Sequence, residues 1–313
     1  MVYDKEAVNE IVVKVKTKDA VSQQKETSRE KCSTYQADKK PAPTLGIIRL
    51  DYDYPPAPGD IDHPDSYPYD VFYKVVPGFT FEMCKSGKLT DQVEEDFKKS
   101  IHWLVDEKKV SAITGDCGFM MYFQELARSI THIPVFMSSL CQLPAVTCAY
   151  SSKEQIIIMT ANGQSLEPMT DLIKDECGVE MHEKRYHIVG CESAEYFFEA
   201  VEKGHKVDTE KAQDEIVELA KKSLEKYPDT RAFLLECTEL PPYSDAIRQA
   251  TGLPVFDAIT ASNFFMAGFL DDVRFGLNDW QHEWDQVQDE YKFGDNLREF
   301  EKKKLVNPVV SDK

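Results

Sequence analysis

Two stretches of the sequence, 120 positions apart, repeat one another without a gap, and this duplication limits the fold more than any other feature. Residues 117–136 align with residues 237–256, and six of the 20 aligned positions are identical, where ordinary residue usage gives about one. The identical pairs are Cys117/Cys237, Arg128/Arg248, Thr131/Thr251, Pro134/Pro254, Val135/Val255 and Phe136/Phe256. A period this long predicts a duplicated domain, because solenoid repeats span about 20–50 residues.

Both copies lie in regions where short apolar strands alternate with helices. The predicted strands are 45–52, 72–78, 110–116 and 134–140 in the first half, and 154–162, 185–191, 231–237 and 253–260 in the second. The clearest predicted helices are 90–107, 120–131 and 209–226. This alternation is typical of βαβ units with parallel strands. We therefore expect an α/β fold with two pseudo-symmetric, doubly wound parallel-sheet domains.

The composition changes along the chain indicate four segments. They are a polar N-terminal arm (1–43), a first α/β domain (44–150), a second α/β domain (151–275), and a C-terminal amphipathic helix with a tail (276–313). Trp280, Trp284, Val287 and Tyr291 share one face of that last helix, which we expect to pack on its own domain. A long loop rich in proline, aspartate and tyrosine, 53–68, is a candidate functional segment because long loops in compact domains often serve function.

Charge and motifs exclude several classes of partner. The net charge is −18, which repels a phosphate backbone, so we expect no nucleic acid. No apolar run approaches the roughly 20 residues of a membrane helix, and the start of the chain has no secretory pattern.

The eight cysteines include no CxxC pair, which favours reduced thiols in the cytoplasm or an organelle. Without a P-loop, dinucleotide fingerprint or zinc spacing, we expect no metal, nucleotide or flavin. We also expect a homo-oligomer.

The cysteine shared by the two copies follows a predicted strand and precedes a predicted helix. In an open parallel sheet, the ligand crevice lies at the carboxyl ends of the strands. Pro241 and Pro242 favour a helix start soon after Cys237, and Gly252 marks its end. We therefore predict Cys237 at a helix N-terminus, which would lower the pKa of its thiol towards neutrality. The helix amides could hold a carboxylate while the thiolate removes a neighbouring proton.

The motifs around the two cysteines resemble a known family. The segments ECTEL (236–240), GLPVFDAIT (252–260) and ANGQSL (161–166) are similar to second-half signatures of the aspartate/glutamate/hydantoin racemase superfamily. The resemblance covers roughly residues 45–270. Two departures separate the chain from the amino-acid racemases: RLDYDY (49–54) replaces a glycine-rich loop, and no Asn-Thr follows Cys117. With TGDCGF (114–119) and the long arm, the chain most resembles the Alma-type dimethylsulfoniopropionate lyases.

This resemblance implies an active site between two pseudo-symmetric domains and a small zwitterionic carboxylate substrate. The reaction would be a cofactor-independent β-elimination that gives dimethyl sulfide and acrylate. Cys237 would be the base, and Cys117 would face the same carbon from the other half. The remaining candidates are substrate-binding residues: Thr238, Glu239, Gly118, Phe119, Asn162, Thr160, Asp51 and Tyr52. Thr238 and Asn162 would hold the carboxylate, while Asp51 and Tyr52 suit a sulfonium cation, as does Tyr54.

Three alternatives stay open at this point. Within the superfamily, the chain could be an amino-acid racemase or another carbon-acid enzyme without a cofactor. Outside it, a binding module of the periplasmic-receptor type also has two α/β domains and needs no thiolate. Finally, both cysteines could be buried structural residues.

Overall fold

A computed structural model of the chain describes residues 11–13 and 42–270. Its first sheet contains β1 (Ile11–Val13), β2 (Leu45–Arg49), β3 (Val71–Val75), β4 (Ala112–Gly115) and β5 (Val135–Phe136), in the order β1-β3-β2-β4-β5. The second contains β6 (Gln155–Thr160), β7 (Tyr186–Gly190), β8 (Thr230–Leu235) and β9 (Val255–Phe256), in the order β7-β6-β8-β9. All pairings are parallel except that of β1 with β3. The predicted pair of parallel sheets is therefore confirmed.

Helices connect the strands in both halves. In the first half they are α1 (Phe81–Ser86), α2 (Asp91–His102), α3 (Gln124–Ile130) and α4 (Leu143–Cys148). In the second half they are α5 (Gly163–Leu166), α6 (Thr170–Cys177), α7 (Glu195–Lys203), α8 (Thr209–Lys226), α9 (Ser244–Thr251) and α10 (Ala258–Met266). None of the helices in the described part of the chain is long and apolar enough to span a bilayer.

The repeat found in the sequence is also a structural repeat. Helices α3 and α9 begin at Gln124 and Ser244, and strands β5 and β9 at Val135 and Val255, each pair 120 positions apart. Backbone hydrogen bonds recur at the same offset. The amide of Ile113 donates to Pro134 O (3.0 Å) and that of Phe233 donates to Pro254 O (2.9 Å). The predicted pseudo-symmetry of the two strand–helix–strand units is therefore confirmed.

Several predicted elements are shorter than expected, because local side chains end strands or begin helices. The predicted strand 134–140 contains only β5, since the Ser138 hydroxyl caps a 3-10 turn over Ser139–Gln142. Its counterpart 253–260 contains only β9, because Asp257 forms a capping box with Thr260 at the start of α10. The predicted helix 120–131 is a 3-10 segment, Gly118–Phe123, that continues into α3. The predicted helix 209–226 matches α8.

The chain termini are described only in part. Residues 11–13, within the predicted arm, add the short edge strand β1 to the first sheet. The predicted C-terminal helix with Trp280, Trp284, Val287 and Tyr291 lies outside the described residues.

The two sheets share one large apolar core. Ile48 and Ile113 of the first sheet belong to the same buried cluster as Ile156 and Leu234 of the second. The long loop 53–68 adds a second connection between the halves. The Ile61 amide in this loop donates to Thr238 O at 3.4 Å. The carboxyl ends of the central strands in both halves are thereby held close together.

Candidate functional site

A pocket of about 270 Å³ lies at the carboxyl ends of the central strands and receives side chains from both halves. Cys117 and Cys237 both line it, and their exposed fractions are 8% and 9%. The segments after β2 and β4, the start of α1, the segments after β6 and β8, and the end of α7 complete the wall. The duplication therefore brings its two equivalent cysteines to one pocket, as the sequence predicted.

Cys117 occupies the N-cap position of the 3-10 segment that leads into α3. The amides of Gly118 and Phe119 open that segment, where backbone donors lack intrahelical acceptors. A hydrogen bond with the fully buried Cys84 raises the pKa of the Cys117 thiol well above its usual range, and burial adds to this shift. Cys84 lies in α1 and is a second thiol directly behind the pocket wall.

Cys237 does not lie at a helix N-terminus, so that prediction is wrong. It opens a turn closed by the Leu240 amide, which donates to Cys237 O at 3.2 Å. The helical segment begins only at Pro241. Burial and the carboxylate of Glu239 raise the pKa of the Cys237 thiol well above its usual range, although the Glu239 amide donates to its sulfur. The expected lowering of the thiol pKa is therefore wrong as well, since desolvation and nearby acids outweigh that one donor.

An acidic residue precedes each cysteine, and the first of them has a cationic neighbour. Asp116 Oδ2 accepts a hydrogen bond from the Leu50 amide (3.0 Å) and lies 3.8 Å from Arg49 Nε. Burial raises the pKa of Asp116, and the Arg49 guanidinium opposes that shift. Arg49 itself bonds Asp62 at 2.8 Å. The first half therefore holds its acid next to a fixed positive charge.

The acid of the second half has a hydroxyl where the first half has a guanidinium. Glu236 is 1% exposed, and its Oε2 accepts a hydrogen bond from the Thr160 hydroxyl at 2.7 Å. Its Oε1 is buried without a hydrogen-bond partner among the described residues. Burial raises the pKa of Glu236 to about 7, against the opposing hydrogen bond from Thr160. The carboxyl lies against Gly118, where a Cβ would meet Oε1 at 2.0 Å.

The loop 53–68 places two further acids beneath the pocket. The Tyr54 hydroxyl donates to Asp60 Oδ1 at 2.8 Å, and the Asp62 amide donates to the same oxygen at 2.8 Å. Burial and the neighbouring Asp62 raise the pKa of Asp60 to about 8. Burial raises the pKa of Glu239 well above its usual range, and Asp60 and Asp62 add to this shift, so the loop contributes to the electrostatics of the site.

Most of the predicted site residues line this pocket. Besides the two cysteines they are Asp51, Tyr52, Gly118, Phe119, Thr238 and Glu239. Of the residues that the structure describes, Thr160 and Asn162 are candidates that do not form the wall. Thr160 lies behind Glu236 as its hydrogen-bond donor. The side chain of Asn162 instead caps α5, accepting from the Ser165 amide at 3.0 Å.

Three of the predicted contacts are already used within the protein. The Thr238 hydroxyl donates to the backbone oxygen of Asp116. Asp51 Oδ2 accepts from the Gly78 amide at 2.8 Å, and the Tyr52 hydroxyl donates to Val201 O at 2.7 Å. The Thr238 hydroxyl is therefore not free to donate to a substrate carboxylate.

Sequence reasoning missed Glu236 as a site residue, and it also missed Cys84, Phe81 and Glu202. Glu236 had a recognisable signal, because the aligned repeat places an acid before each cysteine: Asp116 in one copy, Glu236 in the other. Cys84, Phe81 and Glu202 come from helices that approach the pocket only in the folded chain. Within the described ranges 11–13 and 42–270, no cluster of three His, Cys, Asp or Glu side chains could hold a metal ion.

No family model matches the chain. It is 58% identical over 269 residues to dimethylsulfoniopropionate lyase 7 of Emiliania huxleyi (strain CCMP1516), covering 85% of this chain and 78% of that relative. It is 50% identical over 259 residues to the dimethylsulfoniopropionate lyase of Durusdinium sp. clade D, covering 83% and 86%. Among solved structures, unliganded arylmalonate decarboxylase aligns with a TM-score of 0.45 at 17% identity, covering 72% of this chain and 92% of that one. The family resemblance seen in the sequence is confirmed by the two lyases, and the chain belongs to the dimethylsulfoniopropionate lyase family.

Proposed function

We propose that the chain cleaves dimethylsulfoniopropionate by β-elimination in this pocket. The observation that carries the proposal is the presence of two equivalent thiols, one from each half, on one enclosed wall. A base removes a proton from the carbon next to the carboxylate, and the C–H electron pair forms the double bond of acrylate. The C–S bond breaks, and its electron pair leaves with neutral dimethyl sulfide. One base is sufficient, because the leaving group needs no proton.

Cys237 is the better candidate for that base. Its sulfur accepts a hydrogen bond from the Glu239 amide, which favours the thiolate. The hydrogen bond between Cys117 and Cys84 has the opposite effect, because it raises the pKa of Cys117. The donor that favours the Cys237 thiolate is therefore one backbone amide, and not the N-terminus of a helix. Cys117 takes a supporting position on the other side of the substrate carbon.

The wall of the pocket suits the sulfonium cation of this substrate. Among its described residues are six acids and no Lys, Arg or His: Asp51, Glu82, Asp116, Glu202, Glu236 and Glu239. The rings of Tyr52 and Phe81 are candidate contacts of the cation, since sulfonium groups favour aromatic faces. Glu239 is the third candidate, because burial raises the pKa of its carboxyl and a bound cation would lower that pKa again. A bound cation also lowers the pKa of a nearby thiol, so the substrate itself would help to form the thiolate.

The carboxylate of the substrate needs neutral donors in such a pocket. The amides of Gly118 and Phe119 are suited to this, because they open a helical segment beside Cys117. They replace Thr238 and Asn162, whose side-chain oxygens are engaged elsewhere. Developing negative charge at the carboxylate would be stabilised by the same amides.

A direct assay tests this function. Purified protein is incubated with dimethylsulfoniopropionate, dimethyl sulfide is measured by headspace gas chromatography, and acrylate by proton NMR. We expect equal amounts of the two products, with added chelator making no difference. Absence of both products from folded protein would refute the proposed function.

Amino-acid racemisation is the second candidate, because two thiols on one pocket could act on opposite faces of a carbon. Incubation with aspartate or glutamate in deuterated water distinguishes it, since racemisation places deuterium at the α-carbon. We expect no such exchange, because the acidic wall disfavours a substrate with a second carboxylate. The homo-oligomeric state stays a prediction, which analytical ultracentrifugation would test.

A further inference from the structure

Two buried oxygens of the pocket wall have no hydrogen-bond partner among the described residues, Asp116 Oδ1 and Glu236 Oε1. The Arg49 guanidinium lies beside Asp116 and favours its charged form, whereas the neighbour of Glu236 is the neutral Thr160 hydroxyl. Glu236 Oε1 makes no hydrogen bond, while Oε2 is already bonded to the Thr160 hydroxyl. Glu236 immediately precedes Cys237, and its carboxyl packs against Gly118, which immediately follows Cys117. The carboxyl of Glu236 is therefore a neighbour of both cysteines in the wall of the pocket.

A carboxylate that enters this pocket meets acids rather than cations. An ionised Glu236 would repel it, whereas a neutral Glu236 would have a hydroxyl proton to donate. The Thr160 hydroxyl fixes which oxygen carries that proton, because Oε2 is occupied as an acceptor and Oε1 is left for the O–H. Burial favours the neutral form, since charging a carboxyl away from water is costly.

We propose that Glu236 works in its neutral form and donates its Oε1–H to the carboxylate of the substrate, beside the two thiols. This inference rests on the proposed function and adds a binding residue to it. The donated hydrogen bond is charge-assisted, which makes it stronger than one between neutral groups. It also avoids repulsion in the pocket, because the carboxylate end of the substrate faces an acid that keeps its proton.

The proposal predicts that carboxylate binding weakens as Glu236 ionises. The pKa of Glu236 is raised to about 7, so affinity should fall about tenfold for each pH unit above that value. The titratable groups that face Glu236 are four thiols, Cys84, Cys117, Cys191 and Cys237, whose pKa values are all raised above the usual range. Without a bound cation, the thiols therefore favour their neutral form near neutral pH. Asp116 and Glu239 are the other buried acids of the wall. Substituting Glu236 shows whether it, rather than either of these acids, causes the pH dependence of binding.

The experiment uses propionate as the probe, because it keeps the carboxylate of the substrate and has neither a leaving group nor the thiol-reactive double bond of acrylate. Its dissociation constant is measured by calorimetry from pH 5.5 to 8.5 on the wild-type protein and on Glu236→Gln and Glu236→Ala. We expect the wild-type constant to rise about tenfold per unit above pH 7. For Glu236→Gln we expect a constant that hardly changes with pH, because the amide keeps a donor that cannot ionise. Glu236→Ala should bind at least about tenfold more weakly than the wild type at pH 6.

Several outcomes would overturn the inference. A wild-type constant that is flat across this range would do so without any variant, even if both variants fail to fold. Equal weakening in Glu236→Gln and Glu236→Ala at pH 6 would also refute it. Loss of turnover in Glu236→Gln, with the wild-type pH dependence of propionate binding retained, would assign Glu236 to proton transfer instead. Failure of the proposed function is separate, because it appears as wild-type protein that releases no dimethyl sulfide.

Discussion

The two copies of the repeat have the same backbone hydrogen bonds at the pocket, but they differ in the side chain that contacts the acid before each cysteine. In the first, the Asp116 amide donates to Ile48 O, and in the second the Glu236 amide donates to Met159 O, at 3.0 and 2.7 Å. The residues that follow these two acceptors therefore occupy equivalent positions. They are Arg49 in the first copy and Thr160 in the second. Arg49 gives the first acid a cation, while Thr160 gives the second only a hydroxyl. A duplicated scaffold can thus keep its hydrogen bonds and still place unlike acids beside its two thiols.

The two thiols also differ in their hydrogen-bond partners. Cys117 has the buried thiol of Cys84 as its hydrogen-bond partner, and Cys237 has the backbone amide of Glu239. A thiol partner favours the neutral form of Cys117, whereas an amide donor favours the thiolate of Cys237. We interpret the asymmetry as a division of roles, with one cysteine as base and the other as support.

The largest expected effect comes from exchanging the sulfur of each cysteine in turn. Cys237→Ser should lower kcat/KM for dimethyl sulfide release by about 10²–10⁴-fold, the usual contribution of a positioned proton acceptor. Cys117→Ser should lower it less, because elimination needs one base. The exposed Cys148 gives a matched control, Cys148→Ser, with activity close to that of the wild type. Equal and severe losses at Cys117 and Cys237 would contradict a division of roles.

Removing the cation of the first copy tests the charge asymmetry through stability. Arg49→Met leaves Asp62 and Asp116 buried without their guanidinium partner. We expect the free energy of unfolding, from urea titration at pH 7, to fall by about 3–5 kcal/mol. Arg231→Met is the control, since Arg231 pairs with Glu154 at the surface and its loss should cost at most about 1 kcal/mol. Similar losses in the two variants would show that Arg49 is not an essential counter-charge.

In the second copy, where Thr160 takes the place of Arg49, we expect the stability of the protein to depend on the ionisation of Glu236. A raised pKa in the folded state means that Glu236 stabilises the protein fully below pH 4.5 and loses this contribution as the pH rises through about 7. The difference in unfolding free energy between Glu236→Gln and the wild type should therefore grow by about 3 kcal/mol between those values. Urea titrations of both proteins at half-unit pH steps measure it. A difference that does not change with pH would mean that Glu236 ionises normally in the folded protein.

A smaller effect is expected at the position after each cysteine. The second copy has Thr238 there, whereas the first needs Gly118, because a Cβ would lie 2.0 Å from Glu236 Oε1 and 2.4 Å from Glu236 O. Gly118→Ala should therefore destabilise the protein by about 1–3 kcal/mol. Gly268→Ala has room for its Cβ, with the nearest atom at 3.6 Å, and serves as the control in the same thermal unfolding assay. If the two alanine variants are equally stable, the Glu236 carboxyl does not occupy the place that the structure gives it.

The repeat explains which parts of this arrangement the sequence predicts. Identical residues at a fixed offset predict equivalent positions, so the paired strands, the paired helices and the common pocket of Cys117 and Cys237 could be expected. The turn at Cys237–Leu240 could not, because Pro241 marks where the helix begins but not how the preceding residues fold. Residues that differ between the copies carry no such signal, and the roles of Arg49 and Thr160 emerged only from contacts made across the sheet.

The partners of the site depend on long-range folding, which local patterns do not describe. Cys84 reaches Cys117 from α1. Asp60 and Asp62 raise the pKa of Glu239 in the pocket wall from the loop 53–68, which extends to the second half. Burial reverses the expected direction of the thiol pKa, since the helix-dipole argument does not include the cost of desolvation. The sequence thus predicts the scaffold better than the electrostatics of the site.

The loop that reaches from the first half to Thr238, together with the shared core, has a consequence for folding cooperativity. Two α/β units joined by a linker can unfold one after the other, each with its own transition. Here Ile48, Ile113, Ile156 and Leu234 belong to one buried cluster, so unfolding of either half exposes apolar surface of the other. The Ile61–Thr238 hydrogen bond joins the same two parts. The halves should consequently melt in a single transition that fluorescence and circular dichroism report at the same temperature.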